Sequence, residues 1–487
     1  MNDGDDQFRT IRRAKLDEIK SSGADPYPDS FARTAEAAEL EQRYAELAPG
    51  IETADRVRVA GRIRAMRNSG MFIDLHDASG KIQVFSHRQL LDPQGMALLR
   101  QLDIGDVIGV EGLVRRTPRG ELTVNAASLT VLAKALRPLP EKYHGLADIE
   151  LRYRQRYLDL IMNPQSRETL RRRSRVVSEM RAYLLERGYL EVETPMLHTI
   201  PGGASAKPFI THHNTLDIDL YLRVAPELHL KRLIVGGLSD KVFEINRCFR
   251  NEGISPRHNP EFTSLELYEA YVDYTAMMQL TEELVAAAAV EAAGSRQISY
   301  GGVAIDLTPP WPRRSMAELV EHHTGVDFLA LDAAGAQRAL GRLKIEHTET
   351  WGHALEAAFA RCVEDKLIQP IHVIGFPRDI SPLAKASRSD PRLVERFETY
   401  IYGWEIANAF SELNDPQDQR ARFELQMQAR AAGDEEAQPL DEDYVTALEY
   451  GLPPCGGLGI GIDRLVMLLT DSPSIRDVIA FPTLRPR

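Results

Sequence analysis

Cysteine is scarce, with three residues among 487, Cys248, Cys362 and Cys455, set far apart. That spacing matches no zinc or redox motif and gives no disulfide framework, so all three are expected to pack as small buried hydrophobes. Apolar runs long enough to cross a membrane, about 18 residues, are missing, and the opening MNDGDDQFRT holds no apolar signal core. A cytosolic protein with no membrane partner is therefore expected. The phosphate-cradling pattern GxxxxGK[ST] does not occur. GLGIG at 457–461 spaces its glycines as GxGxG, and no later strand, helix and acid complete a dinucleotide-binding unit. Positive charge is also in deficit: the formal net charge of −12 argues against wholesale nonspecific binding to nucleic acid.

The remaining composition, 43% hydrophobic and 27% charged, is that of a globular protein long enough for two or three domains. Residues 1–50 carry two helical patterns, one through Phe8, Ile11, Leu16 and Ile19 and one from Ala35 to Leu47, separated by GADPYPD. The basic residues of the first, Arg9, Arg12, Arg13, Lys15 and Lys20, read as a solvated face, with phosphate contact as the alternative.

From 51 to 135 the pattern becomes five short strands, VRVAGRI, MFIDLHD, KIQVFSH, DVIGVEGLV and ELTVNAASLTVL. Residues 56–135 hold 12 Lys and Arg against 7 Asp and Glu, a local net charge of +5. Five such strands with a basic surface predict an OB-fold barrel binding single-stranded nucleic acid on aromatics. A proline-stiffened linker, ALRPLPEKYHG, falls within 136–150, and a second domain follows over 151–487. The acidic run at 433–443 reads as solvated surface.

The second domain centres on KVFEINRCFRNEGISPRHNPEFTSLELYEAY, a strand, a Gly/Pro/Asn-rich loop and a second strand. Alternation places Phe243, Ile245, Leu265 and Leu267 on an apolar face, and Glu244, Asn246, Arg250, Phe262, Ser264, Glu266 and Tyr268 on a polar one. For any one of these residues a solvated sheet face is the plainer reading, but aromatics in register with charges suit a binding floor. Upstream, Asn163-Pro164 predicts the start of a helix that ends at Gly188, with Leu170, Val176 or Val177, Met180 and Leu184 as its apolar stripe. Residues 275–370 read as core and insertion without chemistry. Glu398 and Glu405 flank Gly403 on neighbouring extended segments, a pair of hard oxygen ligands of the kind Mg²⁺ on a nucleotide needs. Asn408, Phe410 and Glu412 recur every second residue and share one strand face.

These stretches resemble class II aminoacyl-tRNA synthetases, most closely the lysyl-tRNA synthetases of bacterial type. FRNEG, RHNPEF and LELYEAY are similar to motif 2 (about 242–271). The long helix, strand and proline are similar to motif 1 (about 165–197), and GGLGIGIDRLVMLL to motif 3 (about 456–470). The resemblance implies an α+β protein, with an anticodon-binding OB-fold ahead of a catalytic domain on an antiparallel sheet flanked by helices. It implies ligation of L-lysine to tRNA(Lys) through a lysyl-adenylate, with ATP as co-substrate, Mg²⁺ as cofactor and a homodimer formed through motif 1. It assigns Arg250, Glu252, His258, Asn259, Phe262 and Arg464 to ATP, with Arg250 and Arg464 catalytic. Gly203, Glu227, Glu266, Tyr268, Asn408, Phe410 and Glu412 are assigned to lysine, Glu398 and Glu405 to the metal, and Phe72, Gln83 and Glu121 to the anticodon. Phe72 taken alone reads equally as a barrel-core aromatic. RNSGM before it is about two residues shorter than the family's usual loop, which leaves base contacts by Arg67 open. Two rivals stand beside this reading: an asparaginyl or aspartyl enzyme of the same subclass, and a noncatalytic RNA-binding protein on the same scaffold.

Overall fold

The computed structural model describes residues 3–140, 146–433 and 437–486. The chain divides into two compact units, 1–146 and 147–487.

In the first unit β1 (Glu52–Arg67), β2 (Phe72–His76), β3 (Lys81–Phe85), β4 (Val107–Arg116) and β5 (Leu122–Ala133) close into a barrel in the order β1-β2-β3-β5-β4. Alternation fills it: Ile73, Leu75, Ile82, Val84, Val110, Val114 and Val124 point inward and are fully buried. The first strand is longer than expected, 16 residues with a register break between Ile63 and Ala65. Such an irregularity bends a strand, and this one pairs with both β2 and β4 to close the barrel.

On the leading helix, Asp3–Ser21, Arg13 and Lys20 are exposed as a solvated basic face requires, but Arg12 and Lys15 depart from it. Leu16 and Ile19 are buried, whereas Phe8 and Ile11 are exposed. Arg12 is buried and donates to the carbonyls of Ile104, Ala135 and Arg137, and Lys15 pairs with Asp103 at 2.6 Å. Neither residue is free for phosphate, because backbone carbonyls and an acid of the same unit take them.

The second unit is built on an eight-stranded sheet. In chain order its strands are β6 (Leu190–Glu191), β7 (Lys241–Phe249), β8 (Glu261–Ala270), β9 (Arg313–Ser315), β10 (Ile371–Ile374), β11 (Arg396–Ile401), β12 (Trp404–Ser411) and β13 (Cys455–Gly461). The spatial order is β9-β10-β11-β12-β13-β8-β7-β6, antiparallel except for the two edge pairs. Strand β9 lies in the stretch expected to be core and insertion and β10 directly follows it, so that stretch extends the sheet edge.

Helices Pro164–Glu186, Tyr274–Ala293 and Ile462–Leu469 cover one face. Their core includes Val176, Met180 and Leu184 against Phe243, Leu265, Leu267, Ile406, Leu458 and Ile460. The first of these helices begins at Pro164, but Asn163 makes no cap hydrogen bond; its amide donates to Asp159 at 2.6 Å. It ends as a Schellman turn, with Gly188 N–H on Leu185 O, Tyr189 N–H on Leu184 O and Gly188 at φ +79°. The opposite sheet face is left to polar residues.

Cys248 and Cys455 are buried; Cys362 is half-buried against the helices of the insertion. Residues 141–145 of the expected linker, and 434–436 of the acidic run, lie outside the described residues. Downstream of the latter, Ala437, Gln438 and Asp441 are buried, and Asp441 caps helix Glu442–Glu449 and pairs with Arg232 at 2.6 Å. That half of the run is packed structure, since its polar groups have partners. No described helix is long and apolar enough to cross a membrane.

Candidate active site and nucleic-acid surface

In β7 and β8, Phe243 pairs with Leu267 and Ile245 with Leu265, which commits the apolar faces to the core. Glu244, Asn246, Glu266 and Tyr268 consequently share the other face with Asn408 and Phe410 of β12. Between these strands runs β13. Its alternate glycines face the same way, Gly457 beside Tyr268 and Phe410, Gly459 beside Glu266 and Asn408, Gly461 beside Ser264. A Cβ on Gly457 would run into Glu412 Oε1 and come within 2.6 Å of Tyr268 Cε1. A Cβ on Gly459 or Gly461 would meet nothing closer than 3.8 Å. The fold itself does not forbid side chains at the last two; their lack leaves a bare floor.

At one end of this floor three carboxylates converge. Glu227 opens helix Glu227–Val235, Glu266 stands on β8, and Glu412 lies one residue beyond β12, all nearly inaccessible to water. Tyr268 Oη donates to Glu266 at 2.7 Å. The site also holds a residue the sequence reading missed. Lys231, fully buried and one turn after Glu227, donates to Glu227 Oε1 at 2.5 Å and pairs with Glu412 Oε2. Its Nζ lies 5.4 Å from the Phe410 ring centroid, 5.7 Å from Tyr268 and 5.9 Å from Tyr444. The i,i+4 spacing of Glu227 and Lys231 was the available signal; a solvated helix pair is the usual meaning of that spacing.

Burial pushes the Glu227 carboxyl up, opposed by Lys231, and pushes Glu412 up against the same opposition. Glu266 is pushed up to about 8, first by burial and then by the Glu227 charge. Burial works against the Lys231 ammonium, yet Glu227 and Glu412 hold it above the ordinary lysine range and charged. Two neighbouring charge pairs are closed on themselves. Arg223 donates to Glu244 at 2.8 Å, and Arg396 donates to Glu398 at 2.5 Å and to Asn408 Oδ1 at 3.1 Å.

Toward the other end, the Arg250 guanidinium lies 5.2 Å from the Phe262 ring centroid, and its Nε is buried without a partner. Glu252 is exposed on the loop between β7 and β8. Arg464, in the first turn of Ile462–Leu469, donates to His258 Nε2 at 2.9 Å and to the Glu405 carbonyl at 3.0 Å. With Nε2 accepting, His258 Nδ1–H points to Ser255 Oγ at 2.7 Å. The imidazole is neutral; burial and the Arg464 charge hold its pKa down. Asn259 sits differently from the others: it is buried, and its amide donates to the Glu261 carbonyl at 2.6 Å, shaping the loop. Asp463, also missed, accepts from Thr263 N–H at 2.7 Å and pairs with Arg173 of the long helix, which fixes the helix carrying Arg464.

Strands β11 and β12 meet at a two-residue turn, Tyr402-Gly403, with φ +56° and +68°, the conformation a tight hairpin requires. That hairpin carries Glu398 and Glu405. Glu398 accepts from Tyr400 Oη at 2.7 Å, and burial and then the Glu405 charge push it up to about 7. A buried carboxylate whose proton affinity is raised by a neighbouring carboxylate suits a bound cation. No cluster of three or more His, Cys, Asp or Glu that could hold a metal occurs among the described residues, so other ligands would have to complete such a site. A cavity of about 560 Å³ adjoins, lined by Glu349, His353, Glu356, Glu364, Glu398 and Tyr400 among others. Gly203, at φ +91°, donates its N–H to Gln438 Oε1 at 3.3 Å, and a Cβ there would press on Glu227.

On the barrel, Phe72, Asp74, Gln83 and Phe85 point outward, opposite the buried Ile73, Ile82 and Val84. Phe72 is thus not a core aromatic. Its ring centroid is 5.2 Å from that of Phe85, which stacks on His87 at 5.6 Å and lies under the Arg115 guanidinium at 4.5 Å. Gln83 accepts from Thr123, and Glu121 pairs with Lys81 at 2.7 Å. Arg67 is held by a two-pronged pair to Asp74, at 2.8 and 3.0 Å. Phe85, His87 and Arg115 were missed, although KIQVFSH puts Phe85 and His87 on the face of Gln83 by simple alternation.

Residues 148–485 match the model of the tRNA synthetases class II (D, K and N), and residues 57–132 that of the OB-fold nucleic acid binding domain. The chain belongs to the class II tRNA synthetase family. It is 55% identical over 478 residues to a lysine–tRNA ligase of Sinorhizobium medicae (strain WSM419), covering 98% of this chain and 96% of that protein. A lysine–tRNA ligase of Pelotomaculum thermopropionicum is 54% identical over 489 residues, with 99% and 95% covered. That of Synechococcus sp. (strain CC9311) is 54% identical over 486 residues, with 99% of both covered.

Proposed function

We infer that this synthetase joins L-lysine to tRNA(Lys). The observation that carries the inference is the charge of the buried pocket. Glu227, Glu266 and Glu412 face one internal cation, Lys231, and the adjoining arginines are already paired. With all three acids ionised two positive charges are lacking, and lysine brings two, on its α- and ε-ammonium groups. An aspartate or asparagine side chain brings no cation and would leave a buried carboxylate unpaired, which costs several kcal/mol. The lysine–tRNA ligases at 53–55% identity support the same choice over both rivals.

The chemistry follows from the two ends of the floor. Glu227 accepts the α-ammonium, while Glu412, Glu266 and Tyr268 take the ε-ammonium between Phe410 and the β13 glycines. The substrate carboxylate is thereby aimed at Arg250, whose planar guanidinium bridges it to the α-phosphate of ATP. Attack of a carboxylate oxygen on that phosphorus makes the lysyl-adenylate as the bond to the β-phosphate oxygen breaks and pyrophosphate leaves. Phe262 stacks under adenine, Glu252 accepts from its amino group, and Arg464 with His258 neutralises the outer phosphates. Asn259 acts through the loop it shapes. Glu398 and Glu405 would hold Mg²⁺, which when bound neutralises phosphate charge. The terminal ribose hydroxyl of tRNA then attacks the activated carbonyl and AMP departs.

Phe72, Gln83 and Glu121 read the anticodon, with Phe72 and Phe85 as the stacking surface. The protein works in the cytosol, where its tRNA and ATP are, and as a homodimer through the long helix and its following strand. Exposed Leu185, Leu190, Leu197 and Ile210 support that surface. The test is transfer of labelled lysine to purified tRNA. Charging of tRNA(Lys) and not tRNA(Asn) or tRNA(Asp) is expected; the reverse preference would overturn the reading.

A further inference from the structure

Lys231 occupies a place that neither motif 2 nor motif 3 accounts for. Its ammonium is wholly buried, on a helix fixed by Leu228, Leu230 and Ile234 in the core, and it touches both the acid that takes the α-ammonium and the acid that takes the ε-ammonium. Glu412 Oε1 is buried and has no hydrogen-bond partner. That acceptor lies beside Gly457, the one β13 position where a side chain would collide.

We propose that Lys231 is a positioning residue for amino-acid specificity, a fixed counterion that joins Glu227 to Glu412 and leaves the pocket short of two positive charges. The inference rests on the assignment of those two acids to substrate lysine. With Lys231 in place, the pair is held charged and each acid is turned so that its second oxygen serves the substrate. Without it, three buried carboxylates face two incoming cations; one acid must take a proton, and the geometry of the others relaxes.

The opposite role is also physically possible. A tethered ammonium resembles the substrate's own, and if Lys231 merely occupied the ε-ammonium site until lysine displaced it, removing it would tighten lysine binding.

Steady-state ATP/pyrophosphate exchange separates these. Lys231→Met keeps the length and apolar stem while removing charge. KM for lysine is expected to rise on the order of 10- to 100-fold, with KM for ATP within about threefold of the wild type. Lys231→Arg should recover part of the loss, whereas Lys231→Gln should not. A lysine KM that stays level or falls in Lys231→Met, or a parallel rise in both KM values without rescue by arginine, overturns the proposal. Glu412→Gln run alongside distinguishes the two failures. If it raises the lysine KM and Lys231→Met does not, only the role of Lys231 falls; if it too is silent, the pocket assignment falls first.

Discussion

Replacing Glu412 by glutamine keeps the shape of the side chain and removes one of three converging carboxylates, so it tests the pocket with little disturbance of packing. Glu412 is buried, its backbone N–H is held by the Cys455 carbonyl at 2.8 Å, and its Oε1 lacks a partner. Removing one member of a buried, hydrogen-bonded charge pair costs about 2–5 kcal/mol, on the order of 30- to several-thousand-fold in kcat/KM for lysine. The lower part of that range is expected, because the amide oxygen still accepts from an ammonium and Lys231 keeps Glu227. The folded protein without lysine should lose nothing and melt at the same or a higher temperature, since repulsion among three buried acids is relieved. The assay is ATP/pyrophosphate exchange with lysine varied at saturating ATP, then ATP varied at saturating lysine. A lysine kcat/KM within about threefold of the wild type would refute the electrostatic reasoning. So would an equal fall in kcat/KM for ATP, which would mean general damage to the site.

The other predictions address separate parts of the molecule. Phe72→Ala removes the outward stacking platform and should raise KM for tRNA on the order of 10-fold or more, with tRNA-free exchange unchanged; an effect on exchange would place Phe72 in folding instead. Gly457→Ala collides with Glu412 and Tyr268 and should raise KM for lysine about tenfold or more. Gly461→Ala meets nothing within 3.8 Å and should raise KM for ATP with no change in melting temperature. Glu266, pushed up to about 8 by burial and by Glu227, holds a proton below that pH and must release it to accept an ammonium. Lysine kcat/KM should therefore climb with pH to about 8 and then level, and Glu266→Gln should remove that limb; a profile flat from pH 6 to 8 in the wild type would count against it.

What the residues disclosed in advance depended on whether a local period carried the information. Alternation was enough to place Glu266 with Tyr268 on one side of β8 and Asn408 with Phe410 on one side of β12, because a strand's period fixes the side on which each residue stands, whereas their sharing of one sheet face is set by pairing through β13. The five-strand barrel was legible for the same reason, except that the length of β1 is set by closure, which no local pattern encodes. Lys231 was not legible as a pocket residue: a glutamate and a lysine four apart on a helix look the same whether solvated or buried, and Glu412 joins them only through the folded sheet. The loop-shaping bond of Asn259 was not legible for a related reason. An asparagine in a Gly/Pro-rich loop is as able to bond its own backbone as a phosphate, and here it bonds the Glu261 carbonyl. Arg12 and Lys15 showed a helical basic stripe, but nothing near them in sequence announced the carbonyls of 104, 135 and 137 or Asp103 that capture them.

The central claim is that three acids and one internal cation make a pocket for an amino acid carrying two positive charges. It is tested most directly by ATP/pyrophosphate exchange on the intact chain with lysine, asparagine and aspartate supplied in turn. The account predicts exchange with lysine alone. Exchange driven by asparagine or aspartate in preference to lysine would contradict it, and exchange with none of the three would point to the noncatalytic scaffold.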